Sequence, residues 1–194
     1  MEKKFLLILF YSASGSVKNL AHAIADGAEN AGHIVKIRTV PKITSKIEKI
    51  ESTIPESGEL YCSKDDLINC SALAIGSPTR FGSIASPLKY FLDSTGDLWG
   101  TNALEDKLGM VFTSTSSMHG GQETTLFSLI TFMLHHGMII TGTPYSIDEL
   151  NKTKSGGTPY GPTHVENYNS SSELTRDEYE LSLIHISEPT RQEA

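Results

Sequence analysis

At 194 residues, with 38% hydrophobic residues, the chain has the length for one domain with a full core. It contains no unbroken apolar run of roughly 18 residues, which excludes a transmembrane helix. The net charge of −7 disfavours a nucleic-acid partner, which needs a basic surface. Its cysteines, Cys62 and Cys70, fit neither a metal site nor a secreted disulfide scaffold, so a cytoplasmic protein without stable membrane association is expected.

Met1 to Lys4 is a charged start, but the apolar run after it is short and lacks a small-residue cleavage site. Phe5 to Tyr11 therefore reads as a first strand rather than a signal peptide. Ser12-Ala-Ser-Gly-Ser-Val-Lys-Asn19 follows, and Val17, Leu20, Ala21, Ile24 and Ala28 then recur at helical spacing. Strand, hydroxyl-rich turn and helix is a layout that binds phosphate at a helix N-terminus, where unpaired amides and the helix dipole face the anion. Ser12, Ser14 and Ser16 add hydroxyl donors, and Gly15 permits a tight turn. An ordinary Ser-rich turn with an N-cap is the alternative. Neither G-x-x-x-x-G-K-[ST] nor G-x-G-x-x-G occurs. A Lys-poor loop suits a bound monophosphate better than a transferring triphosphate, and flavin mononucleotide (FMN) is the first candidate.

Gly32 ends the first helix, and His33 to Val40 alternates as a half-buried strand. Pro41 to Ser63, with Pro55 and Gly58, reads as a long connection. Asp65 to Cys70 makes a short helix at most. Ser71 to Gly76 and Lys107 to Phe112 are apolar enough for strands buried on both faces. Helices are predicted from Pro87 to Ser94 and from Gln122 to His136, and Met138 to Thr141 is the fifth strand. Strand–helix alternation implies an α/β fold with a parallel sheet covered on both sides: a flavodoxin-like three-layer sandwich of order 2-1-3-4-5, with the ligand at the strand carboxyl ends.

Ser146 to Ser172 reads as loop, and Glu173 opens a helix with acidic first turns. From Leu181 the helical pattern is lost, and Pro189 cannot sit inside a helix. Leu181 to Arg191 also resembles the in-frame translation of a sequencing-library adapter, with a natural divergent tail as the alternative. The expectation is a flavodoxin-like domain over 1–180, a non-native tail over 181–194, and a truncated last helix that exposes apolar sheet surface and lowers stability.

Loops after strands one, three and four would surround a flavin. In Gly76 to Ile84, Gly82 and Pro78 set a turn, Thr79 and Phe81 offer a hydrogen bond and an apolar shelf, and Arg80 brings positive charge to a reduced flavin. Alternatively Arg80 forms a surface or subunit salt bridge. In Thr113 to Glu123, Ser114, Thr115, Ser116, Ser117 and Met118 could line the ribityl chain, and His119 is either substrate-facing or solvated. His135 and His136 are adjacent, not i, i+4, which disfavours a shared metal. One of them reaches the active-site mouth or caps the helix. Trp99, in a loop after the third helix, is a wall for a planar ring, or else core or interface. Ser-His-Asp hydrolysis fits poorly, since no G-x-S-x-G elbow exists.

Gly76-Ser-Pro-Thr-Arg-Phe-Gly82, Phe91-Leu-Asp-Ser-Thr-Gly96 with Leu98-Trp99, His119-Gly-Gly-Gln-Glu-Thr124, His135-His-Gly-Met138 and Gly156-Gly-Thr-Pro-Tyr-Gly161 together resemble the WrbA family. These are flavodoxin-like, tetrameric, FMN-binding NAD(P)H:quinone oxidoreductases. The resemblance covers about residues 3 to 163. It implies that Ser12, Ala13, Ser14, Gly15, Ser16 and Val17 hold the FMN phosphate. Thr79, Arg80, Phe81 and Gly82 would contact the isoalloxazine, Ser114 to His119 the third side and His135 the flavin, while Trp99 would flank the substrate. It further implies a homotetramer, ping-pong transfer from NADH or NADPH to FMN N5 and on to a quinone, and no side chain required as acid or base. The sequence departs from the family at Ser14, where an aromatic residue can contact the nicotinamide. It departs again at Glu166-Asn-Tyr-Asn-Ser170, in place of Gly-Asp-Gly-Ser-Arg-Gln-Pro. A flavodoxin-type electron carrier and a redox-sensing partner protein are the alternatives.

Overall fold

The computed structural model describes residues 4–43, 58–166 and 172–187. Strand β1 (Leu6–Phe10) is buried along its whole length. Leu7 and Leu9 enter one core cluster, and Leu6, Ile8 and Phe10 enter the other, as the period-two pleat dictates. Such a strand must be covered on both faces, and everything else in the fold follows from that need.

The chain continues through α1 (Ser16–Asn30), β2 (Val35–Thr39), α2 (Lys64–Asn69), β3 (Ala72–Pro78), α3 (Ser86–Asp93), α4 (Gly96–Gly100) and β4 (Leu108–Thr115). It then forms α5 (Gln122–His135), β5 (Ile139–Ile140), α6 (Asp148–Lys152), β6 (Thr163–Val165) and α7 (Arg176–Ser187). The strands pair in parallel in the expected order β2-β1-β3-β4-β5. On one face Val17, Leu20, Ala21 and Ile24 of α1 seal Leu6, Ile8, Phe10 and Phe112. On the other, Leu67 of α2, Leu88 and Leu92 of α3, and Leu126, Leu129 and Met133 of α5 close over Leu7, Leu9, Leu73, Ile75 and Val111. This is the flavodoxin-like three-layer sandwich. Gly32 stops α1 as expected: at φ 86° it lets its own amide reach the Glu29 carbonyl and the His33 amide reach Ala28, a Schellman motif.

Several expectations need correction. The fifth strand is split: β5 pairs with Leu108 and Gly109, while β6 pairs farther along β4 with Thr113, Ser114 and Thr115. β6 and α6 both lie in the stretch read as loop. β6 is short and polar, and only its seat beside β4 and the buried Glu178 makes it a strand. Trp99 sits inside the single helical turn α4, not in a loop. α7 does not lose its helix at Leu181 but runs on to Ser187. It lies along α1, with Leu181 and Ser182 buried, so tertiary packing overrides the weak local pattern. Pro189, Pro55 and most of the expected 41–63 connection lie outside the described residues. Among the described residues no helix is long and apolar enough to cross a membrane.

Candidate functional site at the carboxyl ends of the strands

β1 ends at Phe10 and delivers the chain into the predicted loop. Ser12 Oγ accepts the Gly15 amide at 3.1 Å, which closes the turn. Gly15, at φ 104°, is the N-cap of α1 and supplies no side-chain cap, so the first-turn amides have no partner inside the helix. Ser14 Oγ and Ser16 Oγ lie 3.4 Å apart, and both donate to Glu166 Oε1, Ser14 at 2.5 Å. Ser16 is fully buried and Ser14 exposed, so the pair reaches from the interior to the surface. Val17 belongs to the core, leaving only its backbone for a ligand, and Ala13 is exposed. Burial pushes the Glu166 carboxyl up, but the Ser14 and Ser16 hydroxyls and the nearby charges of His164 and Arg80 outweigh it and hold the group below the usual range. Beside this loop lies a cleft of about 510 Å³ lined by Tyr11, Ser12, Lys18, Glu59 and Tyr61.

After β3 the chain makes a tight hairpin. The Arg80 amide donates to the Ser83 carbonyl at 2.9 Å, and the Ser83 amide returns to Arg80 at 3.1 Å. Phe81 (φ 53°) and Gly82 (φ 77°) form its tip, both in the left-handed region as a type I′ turn demands. The turn suits Gly82 but strains Phe81, whose ring stands fully in solvent at 108% exposure. Left-handed strain of this kind costs on the order of 1–3 kcal/mol and persists only where the surrounding structure holds it. Thr79 Oγ1 accepts the Gly82 amide at 3.1 Å and the Thr125 hydroxyl at 2.9 Å, which ties this hairpin to α5. Arg80 is exposed and donates to the Thr79 carbonyl.

The third loop follows β4. That strand runs through Thr115, so Ser114 and Thr115 are buried strand residues rather than loop residues. Ser116, Ser117, Met118 and His119 form the exposed loop, with His119 at a left-handed φ of 57°. A side chain on Gly121 would bring its Cβ to 2.8 Å from Gly82 Cα, so this loop and the Phe81 hairpin are in close contact. The chain thus gathers Ser12 to Ser16, Thr79 to Gly82 and Ser116 to His119 at one end of the sheet.

Trp99 and His135 lie elsewhere. α5 carries the chain through 14 residues, roughly 20 Å at 1.5 Å per residue, away from the loops before His135 is reached. Its neighbour His136 sits 3.5 Å from the Thr95 hydroxyl, just ahead of α4 and Trp99, and packs at a tilt against the Phe132 ring, with 4.6 Å between ring centres. Burial and the adjacent His135 push the His136 ring below its ordinary pKa. Trp99 and His135 are both exposed, at the end of the sheet opposite the loops.

Residues 6–151 match the model of a family described as NADPH-dependent FMN reductase. The chain belongs to the NADPH-dependent FMN reductase family. Among its relatives is an NAD(P)H dehydrogenase (quinone) of Rhodopseudomonas palustris (strain BisA53), 41% identical over 89% of this chain and 88% of that one. Another of the same name, from Sinorhizobium fredii, is 37% identical over 93% and 94% of the two chains. A WrbA-like flavodoxin from Agrobacterium tumefaciens shares the fold, with a TM-score of 0.65 at 21% identity over 95% and 94% of the chains. The resemblance to the WrbA family read from the motifs is borne out.

The loops of this FMN reductase family member fit a flavin monophosphate. The hydroxyls of Ser14 and Ser16 converge on one anionic group, the Glu166 carboxylate, at the N-terminus of a 15-residue helix, the kind of position that suits a phosphate. The Phe81 hairpin and the Ser116–His119 loop follow β3 and β4 at the same end of the sheet. Sequence reasoning missed Glu166 as a site residue, because its partners lie 150 and more positions away. It also passed over Gln122, whose buried Oε1 has no hydrogen-bond partner among the described residues.

Proposed function

We propose that the protein catalyses the FMN-dependent two-electron reduction of a quinone by NADH or NADPH. The observation that carries the reading is the hydroxyl pair Ser14 and Ser16, already closed on an anion at the start of α1. The quinone dehydrogenase relatives, matched over most of their length, support the substrate class. When bound, FMN would supply the two-electron relay between NAD(P)H and the quinone, a hydride chemistry centred on its N5 and suited to a ping-pong order. The protein's own residues bind and orient. Ser14, Ser16 and the amides of α1 hold the phosphate, and Phe81 and Thr79 hold the ring edge. Arg80 and the loop amides favour the negative charge of the reduced state. No side chain has to act as an acid or base.

Trp99 and His135 enter this scheme only across a boundary between copies, because within one chain they lie at the opposite end of the sheet. That placement, with Trp99, Leu134 and Phe81 all exposed, supports a homotetramer in which one copy completes the site of another. The test is the anaerobic visible spectrum with FMN, then NADH, then benzoquinone. Bleaching by NADH and recovery with quinone are expected. Bound FMN that NADH cannot bleach would instead mark an electron carrier.

A further inference from the structure

We propose that Glu166 is an internal counter-anion that competes with the flavin phosphate for Ser14 and Ser16, so that FMN exchanges instead of remaining permanently bound. The inference rests on the FMN reading above and adds to it how the site is loaded. Each serine hydroxyl carries one proton and donates to one acceptor at a time. Both protons are directed at Glu166 Oε1. Ser16 is fully buried, so no bulk water is at hand to replace a lost partner.

The carboxylate is not a stray surface group. Its own amide donates to the Thr115 carbonyl at 2.9 Å, and the neighbouring Val165 amide donates to the buried Glu178 carboxylate at 3.1 Å. The backbone at 166 is therefore clamped to β4 on one side and to α7 on the other, and it presents the side chain to the α1 N-terminus from a rigid support. A phosphate arriving at the same hydroxyls meets a second anion within a few ångströms, and the two cannot share those donors. Glu166 has to rotate out. Its side chain is only partly buried, so solvent lies on the side toward which it would turn. The penalty falls on flavins that carry a phosphate and spares those that do not.

Dissociation constants for FMN and for riboflavin, measured by quenching of flavin fluorescence, test this in the wild type, Glu166→Gln and Glu166→Ala. Removing the charge should tighten FMN binding by about tenfold or more, equivalent to ~1.4 kcal/mol, with riboflavin unchanged within about twofold. The alanine variant also removes the competing acceptor and should bind FMN at least as tightly as the glutamine variant. Unchanged or weaker FMN binding in both variants overturns the proposal. So does equal tightening toward both flavins, because the effect would then act on the ring. If neither flavin binds any of the three proteins, the FMN reading fails and the proposal falls with it.

Discussion

Replacing Glu178 by glutamine tests the clamp behind the site. Glu178 is fully buried in α7, yet its carboxylate is ringed by hydrogen-bonding partners. Oε1 accepts the Ser155 hydroxyl at 2.7 Å and the amides of Gly156 and Val165 at 2.9 and 3.1 Å. Oε2 accepts the Thr175 amide at 2.8 Å and lies 2.9 Å from His164 Nδ1. With the Glu178 amide bonded to Thr175 Oγ1, this is also the capping box that starts α7. Burial pushes the carboxyl up, but the His164 ring, the Thr175 amide and the Ser155 hydroxyl overcome it and bring the pKa from 4.5 down to about 2. A depressed folded pKa means stability present above the unfolded value and lost as pH falls through that window, about 3 kcal/mol in all. Glutamine keeps the shape but points an NH₂ at one of the two donor sets, so removing the charge should cost about 3–5 kcal/mol at pH 7. For a chain of this size that lowers Tm by roughly 6–20 °C. Urea unfolding from pH 7 to pH 2 measures it, and the gap between wild type and variant should narrow by about 3 kcal/mol below pH 4.5. A loss under about 1 kcal/mol at pH 7, or a gap indifferent to pH, would refute the argument.

Other perturbations have definite signs. Gly27→Ala in mid-helix normally gains about 1 kcal/mol. Here the new Cβ would collide with the Leu183 carbonyl oxygen, so α7 must move, Tm should fall and its amides should exchange faster; a stabilised variant would show that α7 does not sit on α1. Phe81→Gly removes left-handed strain and should raise stability by about 1 kcal/mol while weakening FMN binding, a combination that stability and titration data check together. Trp99→Ala should leave FMN bound and impair quinone turnover; unchanged kinetics would remove Trp99 from the substrate site.

Much of this architecture is legible residue by residue. The double-faced apolar runs at Leu6–Phe10 and Leu73–Ile75 dictate strands covered on both sides, and the helical spacing from Val17 to Ala28 dictates α1. Those are short-range consequences of periodicity, and so is the hydroxyl loop between them. What local pattern could not reveal is whatever depends on a distant partner. β6 is a strand only because Thr115 and Glu178 hold it, and Ser114 and Thr115 look like loop residues until β3 and β6 flank them. Helix α7 persists past Leu181 because α1 receives it. Glu166 meets Ser14 and Ser16 across the whole chain, and the length of α5 separates His135 from the loops that its motif suggested it would join. The alternation of side chains is written in the sequence. Which buried charge finds which donors is decided only when the sheet brings its carboxyl ends together, since desolvation and hydrogen bonding act through space and leave no local periodicity behind.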